Sequence, residues 1–130
     1  MKLTRWIKPY IDGKTNGLYK FNKLSGLYFI KEYQRIRYVG KSNSNLYTTF
    51  TNHFPTENRN KENQIRHFYD RNNPALRVKF LICPHEKIND LEIYFINKFD
   101  PLDNFKDKLY FALKNPYFRK IIKSKLYGYL

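Results

Sequence analysis

Gly26-Leu27-Tyr28-Phe29-Ile30 and Ile36-Arg37-Tyr38-Val39-Gly40-Lys41 carry the reading of the fold. Both runs are short and rich in β-branched and aromatic residues. The polar stretch between them, residues 31–35, suits the connection of an antiparallel hairpin. Such a hairpin places the phenols of Tyr28 and Tyr38 on adjacent strands and on one sheet face. Glycines at 26 and 40 let the backbone come close to a neighbour or to a phosphate.

Working outward, Leu76 to Cys83 reads as a third strand, alternating through Leu76, Val78 and Phe80 and then continuously apolar. Before it, Ser42-Asn43-Ser44-Asn45 offers helix caps ahead of Leu46, Phe50 and Phe54, which recur at i, i+4 and i+8. That helix should end before Pro55. A second helix is expected from Glu57 to Arg71, broken by Asn72-Asn73-Pro74. A third is expected from Leu91 to Phe99, capped by Asn89 or Asp90 and stopped before Pro101. Two more should cover 107–113 and 116–127, with Asn115-Pro116 as an N-terminal signal and Gly128 as a stop. Residues 1–24 are basic and aromatic, with turn signals at Asp12-Gly13 and Asn16-Gly17, and read as an irregular or hairpin-like arm. The expected fold is therefore mixed α/β (α+β): a small three-stranded antiparallel sheet with helices packed on it. It would form a domain over 25–105, with an arm (1–24) before it and a basic helical extension (106–130) after it.

Composition bounds the function. The chain has 130 residues, enough for one core, and a formal net charge of +14 from 25 Lys and Arg against 11 acids. A field of that sign favours a polyanionic partner, with nucleic acid ahead of a membrane. The aromatics, 18% of the chain, exceed what the core needs and leave amphipathic tyrosines for a surface. The single cysteine, Cys83, excludes an internal disulfide and a cysteine-rich zinc cage, and reads as a small buried hydrophobe in a reducing compartment. No signal-peptide pattern and no run of about 20 apolar residues is visible, so a soluble cytoplasmic protein is expected.

Glu92 shares a helical face with Ile88, Phe95, Ile96 and Phe99. A carboxylate on such a stripe calls for a cation, a hydrogen-bond donor or a metal; the bland alternative is a wet rim near a helix N-terminus. The paired tyrosines are open to two readings: a phenolic site, in which both hydroxyls and Glu92 would converge on one solvent-reachable pocket, or cross-strand packing. His53 is equally open, to packing or to substrate contact. His67 and His85 carry little signal. No His or Cys pair has zinc-ligand spacing, whereas one carboxylate shared with water and phosphate oxygens suits Mg2+ or Mn2+.

Gly26-Leu27-Tyr28, a gap of nine residues, and Tyr38-Val39-Gly40-Lys41-Ser42 resemble the paired signature of the GIY-YIG nuclease superfamily. Asn45-Leu46-Tyr47 with His53-Phe54 is similar to that family's first helix. Leu91-Glu92 with Pro101 and Asn104 is similar to its later motifs. The resemblance spans roughly residues 24–105, about two thirds of the chain.

This resemblance implies a metal-dependent DNA endonuclease. Tyr28 would help activate water with Tyr38 beside it, and Lys41 would touch the phosphate or tune a phenol. His53 would contact substrate or relay a proton, Glu92 would hold one divalent ion, and Asn104 would support the site. The family usually has an arginine one turn before the histidine, and here Thr49 stands in its place. Losing that forked donor costs about 3–4 kcal/mol of transition-state stabilisation unless another group supplies it. Arg35, Arg37, Arg66 and Lys41 are the nearby cations. Without a replacement, the protein would be a weak or inactive nuclease that still binds nucleic acid.

Arg35 and Arg37 in the hairpin, and Lys114, Arg119, Lys120 and Lys123 in the C-terminal segment, are the expected nucleic-acid contacts. An amphipathic packing helix over Phe118, Ile121, Ile122 and Leu126 is the alternative for the last four. A third possibility for the whole protein is an inhibitory or structural role, gripping an acidic partner through its basic surface.

Overall fold

The computed structural model describes residues 1–55 and 69–104. Among these residues there are six strands: β1 (Lys2–Leu3), β2 (Tyr10–Ile11), β3 (Lys14–Thr15), β4 (Gly26–Glu32), β5 (Arg35–Ser42) and β6 (Leu76–Ile82). Two α-helices accompany them, α1 (Leu46–Thr51) and α2 (Ile88–Phe99), with short 3-10 turns at Leu18–Phe21, His85–Lys87 and Leu102–Asn104.

Four strands form one antiparallel sheet in the order β1-β6-β4-β5, and β2 and β3 form a separate hairpin. The fold is mixed α+β, as expected, but the sheet has a fourth strand. Lys2 and Leu3 pair with Ile82 and Leu81, and Thr4 and Ile7 continue the contact through backbone bonds to Phe80 and Val78. The first 24 residues thus supply a strand, and they also supply Tyr10, Leu18 and Phe21 to the core.

β4 is central because it can be buried on both sides. Leu27 and Phe29 face Val39, Leu81, Cys83, Ile88 and Ile96, which is the α2 side. Tyr28 and Ile30 face Leu46, Phe50, Phe54, Val78 and Phe80, which is the α1 side. Gly26 opens the strand at φ 155°, where a Cβ would collide with the backbone carbonyl of Leu81.

Between β4 and β5 the register slips at Ile30/Lys31: Ile30 stands opposite Tyr38, but Lys31 stands opposite Ile36. Arg37 is the extra residue of this bulge. Ile36 and Tyr38, two apart in sequence, would otherwise share a face. The bulge sends Ile36 to the α2 side and Tyr38 to the α1 side.

α1 is shorter than expected. Asn45 caps it by accepting from the Thr48 N–H, and Leu46 and Phe50 anchor it. It stops at Thr51; three of its last four residues, Thr48, Thr49 and Thr51, are β-branched and weaken it, and His53 and Phe54 follow in a turn. α2 begins at Ile88, earlier than expected, because the 3-10 turn after Pro84 runs into it. It ends where Asp100 adopts a left-handed conformation ahead of Pro101.

Of the helix expected from Glu57 to Arg71, only residues 69–71 are described, and they are not helical. The Tyr69 N–H bonds the His53 carbonyl, and the Arg71 guanidinium donates twice to the Phe54 carbonyl. The helices expected at 107–113 and 116–127 lie outside the described residues, as do Arg66, Lys114, Arg119, Lys120 and Lys123. No helix among the described residues is long and apolar enough to cross a membrane.

Candidate active site

The first half of the site lies on the α1 side of the sheet. Tyr28 stands opposite Gly40, and its ring occupies the space a side chain at 40 would need. Its hydroxyl shares a 2.7 Å hydrogen bond with His53 Nε2. Both side chains are almost fully buried, at 1% and 2% exposure. Each polar group would lose about 1–3 kcal/mol if buried without a partner, so pairing them makes the burial affordable. With Nε2 unprotonated the phenol donates; with Nε2–H present it accepts.

Tyr38 completes this group, with its ring 4.8 Å from that of His53 and 6.0 Å from that of Tyr28. It is the partly buried member of the three. Phe50 stands edge-on to Tyr28 at 5.7 Å, and Tyr69 lies 6.3 Å from His53. His53 therefore reaches Tyr28 from the turn after α1, held by its N–H to the Phe50 carbonyl, rather than from the helix as expected.

The second half lies on the α2 side. Ile88, Glu92 and Ile96 are the buried face of α2. Glu92 is 6% exposed, and its Oε1 is 3.3 Å from the Lys41 ammonium. That ammonium also donates to Asn89 Oδ1 at 2.8 Å. Two oxygens, three residues apart on α2, thus converge on one cation brought by β5. Lys41 itself remains partly open to solvent, so its hold on Glu92 is exchangeable. Oxygen donors of this kind are the type a hard divalent ion such as Mg2+ or Mn2+ takes, and here they hold an ammonium.

The two groups flank β5, an edge strand of the described sheet, so the phenols and Glu92 stand on opposite faces rather than converging on one pocket as expected; the β5 backbone lies between them. Its outward edge is closed at Val39 by Asn104. The side-chain amide accepts from the Val39 N–H and donates to the Val39 carbonyl, both at 2.8 Å. The amide imitates a neighbouring strand and fixes the edge between Tyr38 and Gly40. Asn104, fully buried, is a positioning residue.

Arg37 does not reach towards Thr49. It donates to Glu32 at 2.9 Å and to Asp103 at 3.2 Å. Asp103 also accepts from the Tyr69 hydroxyl at 2.7 Å, and Glu32 accepts from Asn73 at 2.7 Å. Burial works against the Arg37 charge, but the bond to Asp103 and the two carboxylates outweigh it and raise its pKa. Burial, chiefly, and the bond to Asp103 push the Tyr69 phenol well above its ordinary value.

Thr49 donates its hydroxyl to Ser42 Oγ at 2.9 Å, tying α1 to the end of β5. Arg35 lies exposed at the hairpin end.

Sequence reasoning missed Asn89, Asp103 and Tyr69. Asn89 had a usable signal, its i, i+3 relation to Glu92, but its value as a cap masked it. Asp103 and Tyr69 carried none, because their roles depend on where the bulge sends Arg37.

No family model matches the chain, and no curated protein or solved structure matches it.

Proposed function

We propose that the protein is a metal-dependent endonuclease that hydrolyses DNA phosphodiester bonds, organised as the GIY-YIG nucleases are. The observation that carries the reading is the buried Tyr28–His53 hydrogen bond beside Gly40, with the Lys41–Glu92 pair on the other face of the same outer strand. A phosphodiester would reach the two groups past Tyr38 and Lys41, the partly exposed member of each.

The chain's own groups supply the proton chemistry. Tyr28 accepts a proton from the attacking water as its phenolic proton passes to His53 Nε2. The water oxygen bonds to phosphorus as the bond from phosphorus to the leaving oxygen breaks; the leaving oxygen takes a proton from solvent, and the imidazolium returns its own to solvent. Tyr38 packs against the imidazole ring and steadies it. Glu92 and the Asn89 carbonyl oxygen would hold the divalent ion, which polarises the phosphoryl oxygens and eases departure of the leaving group when bound. With Glu92 engaged by such an ion, the Lys41 ammonium would be available to the phosphate.

A second reading, a nucleic-acid-binding module of this fold with little or no catalysis, is favoured by one observation. Thr49 is bonded to Ser42, and Arg37 is held by two carboxylates. Neither provides a guanidinium at the reacting phosphate.

Incubation of the protein with supercoiled plasmid and Mg2+ or Mn2+, beside the Glu92→Gln variant, separates the two. Cleavage abolished by the substitution supports the enzyme. Salt-dependent binding without cleavage of duplex, branched or single-stranded DNA selects the module. Absence of both removes nucleic acid as the substrate.

A further inference from the structure

The two-residue connection between β4 and β5 is Tyr33-Gln34, and Tyr33 sits at φ 54°. Hairpins of this length favour glycine or asparagine where φ is positive, and a bulky aromatic there is strained. Strain of that kind is usually offset by packing, yet the Tyr33 side chain is 75% exposed. The ring borders an open cleft of about 430 Å³ lined by Glu32, Tyr33, Gln34, Arg35, Arg37 and Leu102.

The chemistry of the cleft is specific. Glu32 is held by Arg37, whose charge it shares with Asp103, and by a hydrogen bond from Asn73. Arg35 makes no ion pair among the described residues and stands exposed at the rim, while Leu102 offers a half-exposed apolar surface. The cleft thus combines a planar ring, a forked cation, an amide and an apolar surface. Those parts suit an unstacked nucleobase together with its phosphate. Arg35 and Tyr38 are three residues apart on β5, roughly 10 Å of strand. The Leu102–Asn104 turn supplies the cleft with Leu102 and closes the edge of β5 through Asn104.

We propose that the Tyr33 cleft captures an unpaired base of the nucleic acid whose backbone lies along β5, Tyr33 stacking on the base and Arg35 gripping the adjoining phosphate. The protein's preferred partner is then DNA with single-stranded or unstacked character. This rests on the reading of the β5 edge as the nucleic-acid surface.

The test uses the full chain and a single-stranded oligonucleotide carrying 2-aminopurine, with a fully paired duplex as control, at fixed low salt. The wild type should quench 2-aminopurine fluorescence on binding. Tyr33→Gly should abolish the quenching and weaken single-strand binding by about 5- to 100-fold, with a much smaller effect on the duplex. Because glycine relaxes the left-handed turn, that variant should melt no lower than the wild type. Tyr33→Trp should keep the quenching. Unchanged quenching and affinity in Tyr33→Gly, or wild-type binding to the single strand without quenching, overturns the cleft and leaves the edge reading intact. Failure of the wild type to bind either nucleic acid overturns the edge reading and the cleft with it.

Discussion

The ring of Tyr28 lies across Gly40, its partner on the neighbouring strand, and fills the volume any larger residue would claim there. The phenol can meet His53 at 2.7 Å because residue 40 has no side chain. Gly40→Ala should therefore displace the ring and cost about 1–3 kcal/mol, the usual penalty for overpacking. Urea unfolding measures the loss. Any nuclease activity should fall by more than the stability change explains, since the Tyr28–His53 bond is broken too.

Tyr28→Phe isolates the chemistry. The ring and its packing stay, while the hydroxyl that meets His53 goes. If the phenol is the proton acceptor, cleavage should drop by roughly 10²- to 10⁴-fold with little change in DNA affinity. Single-turnover cleavage beside a binding titration distinguishes this from a packing role, which would move both or neither.

Lys41 holds the oxygens of Glu92 and Asn89 that a divalent ion would need under the proposed function. Mn2+ affinity, read from the EPR signal of the free ion, should rise in Lys41→Met and vanish in Glu92→Gln. Equal affinity in all three proteins would place the ion elsewhere.

Asn104 leaves two backbone groups of Val39 exposed to loss. Asn104→Ala strips the partners from a buried N–H and a buried carbonyl, costing about 1–3 kcal/mol for each. Hydrogen exchange of the Val39 amide should accelerate sharply, whereas the amide of Phe29 on β4 should exchange as before.

Alkaline stability follows from Tyr10. Burial pushes its phenol up to about 12 from an ordinary value of 10.0, opposed by the Arg71 guanidinium beside it. The folded-state value is the higher one, so the native protein favours the neutral phenol. The stability this contributes is complete below pH 10 and is lost as pH rises through 12, on the order of 2 kcal/mol. The hydroxyl is also buried with no hydrogen-bond partner among the described residues. Tyr10→Phe should therefore be neutral or stabilising at pH 7, and should flatten the decline in melting temperature between pH 9 and 12.

Much of this was legible in the residues. The hairpin showed itself through two apolar runs and a polar gap of suitable length, and α2 through a 3.6-residue stripe that already marked Glu92 as an anomaly. Other features were hidden for identifiable reasons. Lys2 and Leu3 are exposed and too few to alternate, so nothing local announces that they pair with β6. The bulge at Arg37 reverses the faces of Ile36 and Tyr38, which a strict period of two cannot foresee. His53 follows Phe50 at helical spacing, but the threonines end α1 before it. Asn104 serves backbone atoms of a strand distant in sequence, and such service leaves no pattern.

The pairing of Leu3 with Leu81 has a kinetic corollary. During synthesis, the first strand finds no partner until the chain well past the hairpin has left the ribosome. Docking of that strand therefore closes the largest loop in the sheet and is expected last. Until then β6 presents a bare flank to any other extended polypeptide nearby.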